Sequence, residues 1–260
     1  MHTLDKFKHI VITGASSGLG AELARQYAAP GVCLSLSGRD AQRLAEVVQS
    51  CRASGAQVHE DCIDVTDAAA MAAWLQGCNA RQSVDLVIAN AGISGGTGQK
   101  ELEPSAQAQM IFDVNVTGVL NTINPLLPAM VVRGHGHIAI MSSLAGFRGF
   151  SGAPAYCASK AAVRVYGEAL RAGLEKTGLC VSVICPGFVV TPMTAVNDFD
   201  MPLLMPVERA AAIIIKGLAR GKGRIAFPFV TRFAVWALSA MPDGLAHRLI
   251  RDLPGKKSLK

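Results

Sequence analysis

Between an apolar run, His9-Ile10-Val11-Ile12-Thr13, and a helical run, Ala21-Glu22-Leu23-Ala24-Arg25, the chain reads Thr13-Gly14-Ala15-Ser16-Ser17-Gly18-Leu19-Gly20. Glycines here permit a tight turn and let a pyrophosphate come close to the backbone. The helix that follows turns its positive N-terminus toward the phosphates. The Gly-x-x-x-Gly-x-Gly string taken alone is weak, because a glycine-rich turn has plainer uses. Its place between a buried strand and a helix is what points to a dinucleotide. No Lys-Ser/Thr pair follows the last glycine, so the turn is not a mononucleotide P-loop.

Outward from this turn, short apolar runs alternate with longer amphipathic ones. Strands are expected at 9–13, 32–37, 57–64, 85–90, 137–142, 181–185 and 224–227, mostly rich in Val, Ile and Leu with little alternation. Helices are expected at 19–29, 41–54, 67–79, 105–132, 155–176 and 207–219. Strands without alternation are buried on both faces, and the β-α order predicts an α/β fold: a Rossmann-type doubly wound parallel sheet of about seven strands. Residues 1–228 read as one dinucleotide-binding domain with an integral active site. Residues 229–260 read as a C-terminal helical extension on the same domain, in two short helices parted at Pro242-Asp243-Gly244. The connection 187–206 is too long for an ordinary turn and is rich in Met, Phe, Leu and Pro, as lids and binding loops are.

Composition narrows the classes. Of 260 residues, 50% are hydrophobic and 17% charged, with mean hydropathy +0.33, which excludes a disordered chain. The net charge of +6 is concentrated: 1–215 carries 15 Lys/Arg against 17 Asp/Glu, whereas 216–260 carries 10 against 2. Such a basic tail, with Phe229, Phe233, Trp236 and Leu249, could lie on an anionic membrane surface or cover the active site; a packed helix with a solvated basic face is the plainer outcome. No nucleic-acid recognition motif accompanies the charge, so nucleic acid is not an expected partner. The seven cysteines are scattered, with no Cys-x-x-Cys pair, and so predict neither a disulfide framework nor a metal site. Free thiols, no signal peptide before the strand at His9, and no apolar run of ~20 residues predict a cytoplasmic protein.

The second strand ends in Ser37-Gly38-Arg39-Asp40. An acidic residue there would bind a ribose 2′-hydroxyl, and an Arg would pair with a 2′-phosphate. Asp40 directly precedes a helix and is the natural N-cap, which leaves Arg39 to meet a phosphate and favours NADP(H) over NAD(H). Farther on, Tyr156-Cys157-Ala158-Ser159-Lys160 places a phenol and an amine one helical turn apart. A Tyr pKa of ~10 is too high for ready proton exchange at neutral pH, and a nearby Lys together with the nicotinamide's charge would lower it. Adjacent helical residues diverge by ~100°, so Cys157 is expected in the core.

At this point the chain resembles the compact, single-domain branch of the short-chain dehydrogenase/reductase family, over residues 8 to about 225. The motifs are Thr13–Gly20, Asp64-Val65, Ala89-Asn90-Ala91-Gly92 (Ala where the family has its first Asn), Asn115, Ser143, Tyr156 with Lys160, and Pro186-Gly187 with Thr191. The resemblance implies that Tyr156 exchanges the proton with the carbonyl or alcohol oxygen, Ser143 orients and polarises the carbonyl, and Lys160 tunes Tyr156 and holds the nicotinamide ribose. Asn115 would hold a water between Lys160 and solvent, although a mid-helix Asn bonded to a neighbouring carbonyl is the plainer reading. Ser142 reads as a strand-end hydroxyl satisfied by backbone. The implied cofactor contacts are Thr13, Gly14, Ser16, Ser17, Gly18, Leu19, Gly20, Arg39, Asp64, Val65, Asn90, Ala91, Gly92, Pro186, Gly187, Val189 and Thr191, with Tyr156 and Lys160.

The substrate pocket is expected from 94–99, 144–154 and 187–206, where Phe147, Phe150, Phe188, Met193, Phe199, Met201, Leu203, Leu204 and Met205 stand. Met and Phe make an adaptable apolar surface, which suggests a hydrophobic ketone or secondary alcohol. A sugar or polysaccharide-precursor reductase, and a cofactor-binding regulator without turnover, are the alternatives. The family likeness implies a homodimer or homotetramer packed through 105–132 and 155–176.

Overall fold

The computed structural model describes residues 6–97, 102–251 and 256. A seven-stranded sheet is formed by β1 (His9–Thr13), β2 (Cys33–Gly38), β3 (Gln57–Cys62), β4 (Leu86–Ala89), β5 (Gly136–Met141), β6 (Leu179–Pro186) and β7 (Arg224–Phe227). Every neighbouring pair is parallel, and the order is β3-β2-β1-β4-β5-β6-β7. The chain winds outward from β1 to one edge and returns to build the other half from β4. The carboxyl ends of β1 and β4 therefore diverge into a crevice.

Helices α1 (Gly18–Tyr27), α2 (Ala41–Ala53), α3 (Ala68–Arg81), α4 (Ser105–Phe112), α5 (Gly118–Ile123), α6 (Leu127–Arg133), α7 (Pro154–Gly173), α8 (Pro192–Ala195), α9 (Val207–Ala219), α10 (Phe229–Ala240) and α11 (Asp243–Ile250) complete the fold. Successive strand side chains point to opposite faces. Ile10, Ile12, Leu34 and Leu36 accordingly pack on one side with Leu23, Tyr27, Leu44 and Ile214 of α1, α2 and α9. Val11, Val87, Ile138 and Ile140 pack on the other with Trp74, Val119, Ile123 and Val163 of α3, α5 and α7. Cover on both faces explains why β1, β2, β4 and β5 are buried throughout, the alternating Ser35 and Ser37 of β2 included. The edge strand β3, Gln-Val-His-Glu-Asp-Cys, is mostly exposed, and its charges discourage pairing with another chain.

The expected single helix over 105–132 is instead broken. It runs through α4, a π-helical turn at Asp113–Thr117, α5 and then α6. Pro125 has no N–H to continue α5, and Pro128 sits in the first turn of α6, where that lack is harmless. The third strand also stops at Cys62, short of Asp64. The long connection 187–206 is tied across its base by a bridge between Val189 and Met205 and carries the single-turn α8. After β7, α10 packs against β7 and the turn at Leu144–Gly146, with Val235 buried beside Leu144, Val183 and Cys185. Its other side exposes Phe229, Phe233 and Trp236, the first of them 73% exposed. Among the described residues no helix is long and apolar enough to cross a membrane.

Candidate active site

The glycine-rich turn is packed so tightly that a side chain is excluded at Gly14 and Gly20. A Cβ on Gly20 would lie 2.3 Å from the Gly14 carbonyl oxygen, and one on Gly14, whose φ is +66°, would lie 2.8 Å from Ala91 Cα. Thr13 Oγ1 accepts from the N–H groups of Asn90 (3.1 Å) and Ala91 (3.3 Å). Asn90 Nδ2 donates back to the carbonyls of Thr13 (2.9 Å) and Gly14 (3.2 Å). The ends of β1 and β4 are thereby bolted together where the crevice opens. Ser17 makes no side-chain cap to α1, so the positive end of that helix faces the crevice, rimmed by Ser16, Ser17, Gly18 and Leu19.

The crevice is a cleft of about 1000 Å³. At one end stand Gly38, Arg39, Asp40 and Arg43. Asp40 caps α2 as expected: Oδ1 accepts from the Arg43 N–H (2.9 Å) and Oδ2 from Arg43 Nε (2.7 Å). These bonds, the backbone one foremost, hold the Asp40 carboxyl below its ordinary pKa. Arg39 is exposed and 3.8 Å from Asp64. Arg43, which the strand-end reading passed over, faces the same end of the cleft. Of the pair Asp64-Val65, Val65 lines the cleft, while Asp64 Oδ1 accepts from the backbone and hydroxyl of Thr66.

In the middle of the cleft stand Ser143, Tyr156 and Lys160, with Asn90, Ala91, Gly92, Pro186, Gly187, Val189 and Thr191 around them. Pro154 opens α7, so Tyr156 lies in its first turn and Lys160 one turn on. Lys160 Nζ donates to the Met141 carbonyl at 3.0 Å and stands 5.9 Å from the Tyr156 ring centroid. Ser143 Oγ accepts from the Ala145 N–H at 3.1 Å and also faces the Tyr156 phenol. Asn115 sits in the π-helical turn. Its Oδ1 accepts from the Ile93 N–H (2.8 Å), and its Nδ2 donates to the Ile93 carbonyl and to Ser159 Oγ, both at 3.0 Å. The amide is thus spent on holding the strand after β4 against α7, and a Cβ on Gly92 would meet both Asn115 and Lys160. Ser142 Oγ donates to the Lys160 carbonyl, and Cys157 is buried, as both were expected to be.

The electrostatics depart from expectation in one respect. Burial pushes the Tyr156 phenol above its ordinary pKa, with Ser143 pulling the other way. Burial, and secondarily the charge of Lys256, draws Lys160 down to about 8. Both groups lose their water, and burial is the dominant cause of both shifts.

At the far end, Phe150, Phe188, Met193 and Phe199 line the cleft. The other expected liners do not. Phe147 is drawn away between the guanidinium groups of Arg164 (4.8 Å) and Arg224 (5.4 Å). Met205 is buried in the core beneath its bridge to Val189. Met201 lies against Asn197, and Leu203 and Leu204 point to solvent. Positions 98 and 99 of the expected segment 94–99 lie outside the described residues. In their place α10 contributes Thr231, Val235 and Leu238, and the tail contributes Lys256. The extension therefore covers part of the cleft.

Residues 8–201 match the short chain dehydrogenase family. The chain belongs to that family. An uncharacterized oxidoreductase of Myxococcus xanthus is 40% identical over 248 residues, 94% of this chain and 98% of the relative. Another, of Staphylococcus saprophyticus, is 37% identical over 194 residues, 74% of this chain and 82% of its own length. Among solved structures, a short-chain dehydrogenase of Sphingobium yanoikuyae in complex with NADPH superposes with TM-score 0.78 at 26% identity, over 97% of this chain and 98% of that one. One from Burkholderia phymatum in complex with NAD superposes with TM-score 0.81 at 26% identity, over the whole of both chains.

As a short-chain dehydrogenase, the protein is an oxidoreductase that acts on CH–OH and C=O groups by NAD(P)-dependent hydride transfer. Its cleft suits such a dinucleotide: it offers the open end of α1, glycines with no room for a Cβ, and an arginine pair at the end of β2.

Proposed function

We propose that the protein transfers a hydride between NADP(H) and an apolar ketone or secondary alcohol. The observation that supports this is the continuity of one cleft, from Arg39 and Arg43, past Ser143 and Tyr156, to Phe150, Phe188, Met193 and Phe199. Asp40 is engaged by Arg43 Nε, so the exposed Arg39, with the remaining guanidinium N–H groups of Arg43, is what faces a ribose substituent, and it suits a 2′-phosphate. Ser16, Ser17, Gly18 and Leu19 bind the pyrophosphate at the start of α1. Thr13, Gly14 and Gly20 shape that turn, while Val65, Asn90, Ala91, Gly92, Pro186, Gly187, Val189 and Thr191 flank the rest of the dinucleotide.

The nicotinamide supplies or takes the hydride. Tyr156 donates its phenolic proton to the carbonyl oxygen in reduction and takes it back in oxidation, and the Ser143 hydroxyl donates a hydrogen bond to the same oxygen. Lys160 holds positive charge beneath the phenol and reaches the ribose. Asn115 is a positioning residue that fixes Ile93 against α7. Turnover assays reading nicotinamide absorbance test the proposal. NADPH is expected to serve better than NADH, with the preference erased in Arg39→Ala, and medium-chain ketones better than sugars. Higher efficiency on sugars would favour the polysaccharide-precursor alternative.

Seven free thiols, five of them buried, suit a reducing compartment such as the cytoplasm. Two surfaces suit larger partners. Met110, Phe112 and Val165 are exposed on α4 and α7, as a face between copies of the chain would require. Phe229, Phe233, Trp236, Leu245 and Leu249 are exposed on α10 and α11 among basic residues, as contact with anionic lipid would require. Sedimentation reads both: a dimer or tetramer is expected alone, and pelleting with anionic liposomes that is lost on removal of residues 229–260. A monomer would contradict the first, and pelleting unaffected by the truncation the second.

A further inference from the structure

The C-terminal tail places one residue inside the cleft. The Lys256 N–H donates to the Gly152 carbonyl at 3.2 Å, and the same carbonyl accepts from the Thr97 N–H at 3.1 Å. A Cβ on Gly96 would fall 2.6 Å from the Cβ of Lys256, so Lys256 sits in close backbone contact with the segment that follows β4. From this seat the side chain runs inward. Its Nζ donates to Ser94 Oγ at 2.7 Å and stands 4.0 Å from the centroid of the Tyr156 ring.

The surroundings of that ammonium are unbalanced. Among the described residues no carboxylate lies within ion-pair distance of it, Asp200 on the far wall included. Glu103, the acidic residue next to this end of α7, accepts instead from the Ala155 N–H and from Gln107. A hydroxyl and a ring face are what the cation has, inside a cleft that already contains Lys160 and whose substrate end includes Phe150, Phe188 and Phe199. Burial draws the Lys256 amine down to about 8, as it would an ammonium short of a counter-charge. A partly buried cation in an apolar wall gains most from an anion that arrives with the ligand.

We infer that Lys256 is a specificity-determining residue that pairs with a carboxylate on the substrate, so that the preferred substrates are apolar carbonyl compounds or alcohols that also carry an acid group. This rests on the reading of the cleft as the site of an apolar carbonyl, and adds to it the polar end of the molecule. The hydrogen bond to Ser94 Oγ and the backbone bond to Gly152 fix where the carboxylate is met.

Binding of decanoate and of uncharged decanamide to the cofactor-loaded protein tests the inference without turnover. The wild type is expected to bind decanoate at least about tenfold more tightly than decanamide, equivalent to about 1.4 kcal/mol. That preference should vanish in Lys256→Met and persist in Lys256→Arg, with decanamide affinity alike in all three proteins. Equal affinities in the wild type, or a preference that survives Lys256→Met, would overturn the role of Lys256 while leaving the apolar cleft intact. A Lys256→Met protein that binds both ligands more tightly would make the lysine an obstruction rather than an anchor, and would also overturn it. Failure of both ligands to bind the wild type would remove the apolar-carbonyl reading, and this inference with it.

Discussion

Replacing Tyr156 by phenylalanine is expected to lower kcat by roughly 10²–10⁴-fold, the usual contribution of a positioned proton donor, while leaving dinucleotide affinity and the fold unchanged. The ring is buried among Ala153, Cys157 and Phe150, and phenylalanine refills that space. What disappears is the O–H that faces Ser143. Ser143 cannot take over as the acid, because an aliphatic hydroxyl is far less acidic than a phenol; its O–H can donate a hydrogen bond to the oxygen but not deliver the proton. The cation stacked over the ring also keeps its partner in the variant, since a phenyl face serves Lys256 as a phenol face does. Loss of turnover with retained binding of reduced cofactor, read by nicotinamide fluorescence, is therefore the expected pairing. Turnover within about threefold of wild type would remove Tyr156 from the chemistry.

Lys160→Met is expected to produce an inactive protein that is more stable than its parent. The ammonium is 3% exposed and its pKa is drawn from 10.5 to about 8, mainly by burial. The folded state therefore pays about 3 kcal/mol to keep it charged at neutral pH. Methionine removes that penalty but strands the Met141 carbonyl, which costs about 1 kcal/mol. The balance is about 2 kcal/mol, or a rise in Tm of roughly 4–8 °C for a chain of this size. The sign of the pH dependence follows. Between the folded value near 8 and the unfolded 10.5, the unfolded chain holds the extra proton, so wild-type stability grows with rising pH in that window. Below 8 the penalty is complete, and the gap between variant and wild type should be widest there and close toward 10.5. Lys256 titrates in the same direction, and because its charge contributes to the lowering of Lys160, removing Lys160 also relieves Lys256 and adds to the gap. A variant less stable than wild type at neutral pH would contradict this account of the buried amine.

The parts of the molecule that sequence makes plain are those determined by neighbours in the chain. β1 and β7 fall at their expected bounds, because a buried strand needs only a short run of apolar residues. Asp40 caps α2 because capping is decided within four residues. The glycines of 14–20 announce the turn because a Cβ has no room at Gly14 and Gly20 and Gly18 holds a positive φ. Other features depend on residues far apart. From the π-helical turn Asn115 reaches Ile93, and a mid-helix Asn carries little sign of such a contact. Phe147 leaves the cleft because Arg164 and Arg224, on separate elements, close around it. Val235 and Lys256 enter the cleft from elements about 80 and 100 positions beyond Tyr156, and no periodicity records such a contact. The shifted pKa values belong to the same class. Charge spacing along α7 is legible, whereas the loss of water around Tyr156 and Lys160 is a property of the packed whole.

Tyr156, held above its ordinary pKa by burial, is expected to become a competent acid–base group once a positive nicotinamide stands beside it. Tyrosinate absorbance followed against pH, as the difference between wild type and Tyr156→Phe, reads that one phenol apart from Tyr27 and Tyr166, which burial also raises. With saturating NADP⁺ the midpoint of the difference curve should fall below its position without the dinucleotide and below 10, the ordinary tyrosine value. A midpoint that stays in place or climbs when NADP⁺ binds would contradict the account.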